Sequence, residues 1–259
     1  MDYSSVKISV IGCGAFGRLI LELLVPLTEI IAFDIDHNAV RDHPWPVAMD
    51  FPSAACADIV ILAVPVQALE ETLARIAPYV RPGCLVIDVC SIKQRPIALM
   101  KNALPDYCEI LGTHPLFGPQ SAVGGVKGSR VALVPVRGAQ WRGVANFLRK
   151  RLGLHVVLTS AERHDQDMAY VQGLTHMLAR VAGAMNLPHT RLGTKTYHHM
   201  LEMTRLVGRD SNALFEAIMA ENPYSSAVYD EFVETFNWLR EMMQGFEAVD
   251  WTTQVECNL

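Results

Sequence analysis

"VKISVIGCGAFG", residues 6–17, decides how the chain is read. A β-branched run from Val6 to Ile11 meets three glycines, Gly12, Gly14 and Gly17, and an apolar run then resumes as "FGRLILELL". Strand, tight turn and helix in that order are what a dinucleotide-binding loop needs. The first glycine makes the turn and the second lets the backbone approach a pyrophosphate. The third lets helix and strand pack closely, with the helix N-terminus facing the phosphates. Glycines at this spacing are a weak signal alone, and the flanking strand and helix give them their weight. Gly12, Gly14, Ala15, Phe16 and Gly17 are therefore the candidate cofactor contacts of the loop.

Working outward, the second strand, "EIIAFD" (29–34), ends on Asp34. A carboxylate there can accept hydrogen bonds from ribose hydroxyls and repels a 2′-phosphate. No arginine adjoins it, the nearest being Arg41, so NAD is expected over NADP; Asp36 is a second candidate for the acidic role. "DIVILAV" (58–64), "CLVIDV" (84–89) and "EILGT" (109–113) are short, near-continuous apolar runs, as a parallel sheet covered on both faces requires. "RVALVPV" and "HVVLT" (155–159) read as later additions to the sheet, with antiparallel pairing left open.

The texture changes after Thr159. "TSAE" reads as a capping box, Thr159 at the N-cap and Glu162 at N3, opening a helix to about Met185 that Asn186-Leu187-Pro188 stops. Further helices are expected at about 194–208, about 211–221, and from Pro223 in a first turn to Gln244. The expectation is an α/β, Rossmann-type doubly wound sheet domain over 1–158, then an all-helical substrate and dimerisation domain over 159–259 with a tail from about 246.

Composition narrows the partners. The chain has 259 residues, 51% hydrophobic and 19% charged, with net charge -5, which suits a packed globular protein. No stripe of lysine or arginine invites nucleic acid. The run "LILELLVPL" is short and carries Glu22, so no membrane span is expected. The N-terminal stretch lacks a secretory pattern and the six cysteines lack a CxxC pair, so a reducing cytoplasm is the expected setting. The histidines lack zinc-ligand spacing, so no metal is expected.

Ligands of an open α/β sheet bind beyond the carboxyl ends of its strands. "VPVQ" (64–67), "CSIK" (90–93) and "THPLFGP" (113–119) fall there. Val64 and Pro65 are expected beside the cofactor, Ser91 and Lys93 near substrate. His114 is expected just past its strand, with Pro115 holding its backbone extended. A neutral imidazole is suited to accept a proton near pH 7. Spacing alone leaves His114 open between a base and a packing histidine.

"GCGAFG", the acidic end of the second strand, "DVCSIK", "GTHPLFGPQ" and "HDQDMAYVQGLTH", in this order, resemble the arogenate/prephenate dehydrogenases of tyrosine biosynthesis, closer to the plant-like branch. The resemblance covers roughly residues 6–240. It implies an oxidoreductase in which His114 takes the hydroxyl proton of a cyclohexadienol, hydride passes from the same carbon to the nicotinamide, and the ring carboxylate leaves as carbon dioxide. Ser91 would hydrogen-bond the hydroxyl. On the long helix the resemblance points to His176 as a substrate contact, with Gln172 beside it. On a straight α-helix His164 lies about 120° from His176 and roughly 18 Å away along the axis, so it is expected to bond locally. Arg205 or Arg209 would grip a substrate carboxylate. Asp210 would pair with the ammonium of arogenate and repel the pyruvyl carboxylate of prephenate, or else simply cap the next helix. A homodimer through the helical domain is implied as well. Two rivals are weighed. A β-hydroxyacid dehydrogenase would need a KxxxN on the long helix, which is absent. A non-catalytic nucleotide-binding regulatory protein would have no use for the set Ser91, His114 and His176.

Overall fold

The computed structural model describes residues 6–40, 44–208 and 210–245. Among these, seven strands form one sheet in the order β2-β1-β3-β4-β5-β6-β7. They are β1 (Lys7–Ile11), β2 (Glu29–Phe33), β3 (Ile59–Leu62), β4 (Leu85–Asp88), β5 (Glu109–Pro115), β6 (Arg130–Arg137) and β7 (His155–Leu158). The first five strands are parallel, β6 runs antiparallel to β5, and β7 is parallel to β6. β3 and β4 are buried along their whole length, which is why they read as continuous apolar runs.

Helices α1 (Ala15–Leu24), α2 (Phe51–Ala55), α3 (Val66–Ile76), α4 (Gln94–Ala103) and α5 (Trp141–Arg151) cover the sheet, giving one apolar cluster on each face. The chain is then helical throughout: α6 (Ala161–Met168), a π-helical segment (Ala169–Leu174), α7 (Thr175–Ala184), α8 (Lys195–Val207), α9 (Asn212–Ala220) and α10 (Ser225–Gly245). No helix among the described residues is long and apolar enough to cross a membrane.

Several expectations need correction. β5 runs two residues further than "EILGT", so His114 lies inside the strand, opposite Ala132 of β6. Leu116 N–H donates to the Arg130 carbonyl, which turns the nitrogen of Pro115 to the other side, where β4 has already ended opposite Gly112. A proline is tolerated there because no ladder bond is demanded of it. The N-cap of α6 is Ser160, whose hydroxyl accepts from Arg163 N–H at 3.1 Å; Thr159 N–H is committed to the sheet through the Leu133 carbonyl. α10 begins at Ser225, two residues after Pro223.

The long helix is not uniform. Its π-helical segment takes an extra residue per turn, so the straight-helix angle between His164 and His176 does not hold. Gly173 lies in this segment, and a Cβ there would meet Ser225 Oγ at 3.3 Å, so α10 packs close against the irregular turn. Asn186, at φ +49°, takes the left-handed conformation that ends α7.

Candidate active site

The glycine loop is shaped by contact. Gly12 has φ +98°, and a Cβ on it would sit 2.5 Å from the Ala63 carbonyl oxygen. A Cβ on Gly17 would lie 1.9 Å from the Gly12 carbonyl oxygen, so α1 can approach β1 only with glycine there. Gly14 is different: a Cβ would meet nothing within 4 Å, and Gly14 and Ala15 are exposed at the start of α1. The loop therefore leaves room where a diphosphate would sit against a helix N-terminus, and it fits the group. Asp34 accepts from Cys13 N–H at 2.6 Å and from Asp36 N–H at 2.9 Å, which holds its carboxylate at the loop. Val64 and Pro65 follow β3, Val64 half-buried and Pro65 exposed at the N-cap of α3. Phe16 turns toward Phe117, with ring centroids 6.5 Å apart, joining the loop to the segment after β5.

Across the sheet ends, His114 is 3% exposed and sits in a chain of polar groups. Its Nδ1 lies 2.9 Å from His164 Nε2, and His164 Nδ1 lies 2.8 Å from Asp165 Oδ1. Asp165 also accepts the backbone N–H groups of Lys93 (2.7 Å) and Gln94 (2.9 Å), so α6 is pinned to the start of α4. Asn222 donates to the Asp165 carbonyl at 2.8 Å.

The proton positions follow for two neutral rings. A carboxylate only accepts, so His164 carries its proton on Nδ1 and its Nε2 accepts from His114 Nδ1–H. The lone pair of His114 is then on Nε2. Gln172, from the π-helical segment, places its amide nitrogen 3.4 Å from that same Nε2, and an amide NH₂ only donates. Burial first, then the neighbouring His164 and the Lys93 ammonium, hold the His114 imidazole well below its ordinary value. The ring is a neutral, oriented proton acceptor.

Lys93 corrects an expectation. It is 0% exposed, and its ammonium binds Asp88 Oδ2 and the Thr113 carbonyl, so it cannot contact a ligand in the cleft. It ties the ends of β4 and β5 together directly beneath His114. Thr113 Oγ1 adds a bond to the Asp88 carbonyl at 2.7 Å. Ser91, half-buried, lies on the same turn between Asp88 and Lys93.

Further along the long helix, His176 Nε2 stands 3.7 Å from Asp210 Oδ2, while its Nδ1 is buried without a protein partner. Burial lowers the His176 pKa, with Asp210 opposing. Burial raises that of Asp210, with His176 and Arg180 opposing. Asp210 is not the cap of α9: the Ser211 hydroxyl accepts from Leu214 N–H at 3.1 Å and fills that position. Arg205 is gripped by Glu202 through two bonds of 2.9 and 2.6 Å and borders a surface cleft with His198 and His199. Arg209 lies outside the described residues.

Sequence reasoning missed Asp88, Asp165 and Arg180, and gave His164 only its local bond. The "HD" pair of 164–165 was visible, but nothing in the sequence says that His164 meets the β5 strand end. No cluster of potential metal ligands occurs among the described residues.

A family model described as "Prephenate dehydrogenase, nucleotide-binding domain" matches residues 44–185, and a second, "Prephenate dehydrogenase, dimerization domain", matches 160–254. The glycine loop lies outside the first range. A probable arogenate/prephenate dehydrogenase of Methanocaldococcus jannaschii is 31% identical over 199 residues, 72% of this chain and 44% of that protein. Arogenate dehydrogenase 2 (chloroplastic) of Arabidopsis thaliana is 30% identical over 233 residues, 85% of this chain and 65% of that protein. The chain thus spans between two-fifths and two-thirds of the length of these relatives. A solved prephenate dehydrogenase from A. aeolicus, in complex with hydroxyphenyl propionate and NAD+, superposes with a TM-score of 0.75 at 18% identity, covering 94% of this chain and 92% of that one. At that identity the superposition speaks for the fold.

Proposed function

The chain belongs to the prephenate dehydrogenase family, and on that premise we propose that it catalyses the NAD-dependent oxidative decarboxylation of L-arogenate to L-tyrosine. The observation that carries the chemistry is the chain Asp165–His164–His114, which puts the lone pair of His114 on Nε2, where, among the described residues, only the long 3.4 Å contact from Gln172 meets it.

Bound nicotinamide supplies the hydride acceptor. His114 Nε2 takes the proton of the ring hydroxyl, and the carbon–oxygen bond becomes a carbonyl as hydride departs from the same carbon. The bond from ring to carboxylate then breaks as carbon dioxide leaves, its electron pair aromatises the ring and moves onto the oxygen, and the protonated His114 returns its proton to give the phenol. Aromatisation makes the step effectively irreversible. Ser91 serves the substrate hydroxyl, and Gln172 gives up its long bond to His114 as substrate enters. His164 and Asp165 are positioning residues: they hold the tautomer and never touch the substrate.

Asp34, with no arginine next to it in the sequence, supports NAD over NADP. Asp210, half-buried beside His176, supports arogenate, whose ammonium it can pair with, over prephenate. We further propose a homodimer through the helical region, where Tyr170, Val171, Val181, Phe236 and Trp238 stand exposed. The deciding experiment is matched kinetics with arogenate and prephenate, each with NAD and NADP. The expected result is the highest kcat/KM for arogenate with NAD. Faster prephenate turnover, unchanged in Asp210→Asn, overturns the substrate assignment.

A further inference from the structure

One helical turn beyond His176 on α7 lies Arg180. Its guanidinium sits 3.9 Å above the Phe215 ring, a stack that fixes its plane. One terminal nitrogen donates to Asn212 Oδ1 at 3.3 Å, and its Nε is buried with no partner. No carboxylate pairs with it among the described residues. Arg205 is the contrast, its fork already filled by Glu202.

The surroundings of Arg180 suit an anion. Asn212 is the first residue of α9, a nine-residue helix whose N-terminal turn carries partial positive charge. Asp210 stands just before that turn, close enough for the Arg180 charge to act on it. A cation with a free donor and a helix N-terminus therefore adjoin a half-buried carboxyl group. That pair of opposite charges complements a zwitterion.

Position along the helix points the same way. Gln172 reaches His114, His176 comes four residues later and Arg180 four after that. Within α7 His176 and Arg180 are one turn apart, roughly 6 Å along the axis, with Arg180 on the side of His176 away from Gln172 and His114.

We propose that Arg180, with the N-terminus of α9, holds the side-chain carboxylate of the substrate while Asp210 takes its ammonium, so that this end of the site reads an α-amino acid. The inference rests on the dehydrogenase reading above and adds the group that binds the carboxylate. Arg180 is the side chain that distinguishes tyrosine from its decarboxylated analogue.

Calorimetric binding to the NAD-loaded protein tests it, using L-tyrosine, tyramine (no carboxylate) and 3-(4-hydroxyphenyl)propionate (no amine). The wild type is expected to bind tyrosine at least about tenfold tighter than tyramine. Arg180→Met should erase that ratio and Arg180→Lys should restore part of it, while NAD affinity, as a check on folding, stays unchanged. In turnover, Arg180→Met should raise the KM for arogenate by about 10–100-fold with a much smaller change in kcat. An Arg180→Met protein that keeps NAD affinity and the wild-type tyrosine/tyramine ratio overturns the proposal. A wild type that oxidises neither arogenate nor prephenate overturns the dehydrogenase reading instead, and the binding ratio still decides the role of Arg180.

Discussion

The two ends of the long helix are built differently. At the first, every ring nitrogen of His114 and His164 has a protein partner, and Asp165 takes a bond from the imidazole and two from backbone amides. At the second, His176 Nδ1 and Arg180 Nε are themselves buried without partners, whereas the open atoms of the first end, Asp88 Oδ1, Gln94 Nε2 and Gln172 Oε1, belong neither to the two rings nor to Asp165. Unpaired buried polar groups are costly and uncommon in a settled fold. On the proposed reading the difference separates two tasks. Proton transfer needs a base fixed before substrate arrives, whereas recognition leaves donors open for the substrate to fill.

The largest effect should come from removing the group that the first end serves. His114→Asn is expected to lower kcat by about 10²–10⁴-fold while NAD binding, measured by fluorescence quenching, stays intact; near-native turnover would erase the distinction between the two ends. Next comes the foundation beneath it. Lys93→Met strands Asp88 as an unpaired carboxyl at 0% exposure, and should cost about 3–5 kcal/mol in urea unfolding. If the variant matches the wild type in stability, the pair is not what anchors the β4 and β5 ends.

A smaller effect, read through pH, is expected at the relay. His164→Leu should lower kcat at least about tenfold, though less than His114→Asn does. The sign of its pH effect follows from the causes. The neighbouring His164 is among the causes that depress the His114 pKa, so its removal should move the acid limb of kcat/KM to higher pH. A limb that moves lower contradicts the assigned contact. The smallest change belongs to neither end. Tyr170 donates to Glu231 at 3.1 Å on the exposed side of the helix, and Tyr170→Phe should cost less than about 1 kcal/mol, with kcat unaffected.

Much of the fold was legible because its signals are local. The apolar runs of β3 and β4 announce burial on both faces, and Gly12 and Gly17 stand where any side chain would strike backbone. His114 and Gln172 were legible through their flanking motifs. What escaped depended on long-range pairing. β6 alone extends β5 through His114 and Pro115. Lys93 reads as a cation near substrate until Asp88 and the Thr113 carbonyl are brought around it. The π-helical turn that delivers Gln172 leaves no periodic trace over six residues. Arg180 was findable in principle, one turn from His176 on the same face, but a lone arginine on a helix reads first as a solvated charge.

The most direct test is the pH dependence of kcat/KM for the wild-type protein with arogenate and NAD. The active form of His114 is the neutral one, and its value in the folded protein is depressed, so the rate should hold steady as pH falls through 6.5 and decline only below it. An acid limb centred at or above 6.5 would contradict a buried imidazole kept neutral for proton abstraction.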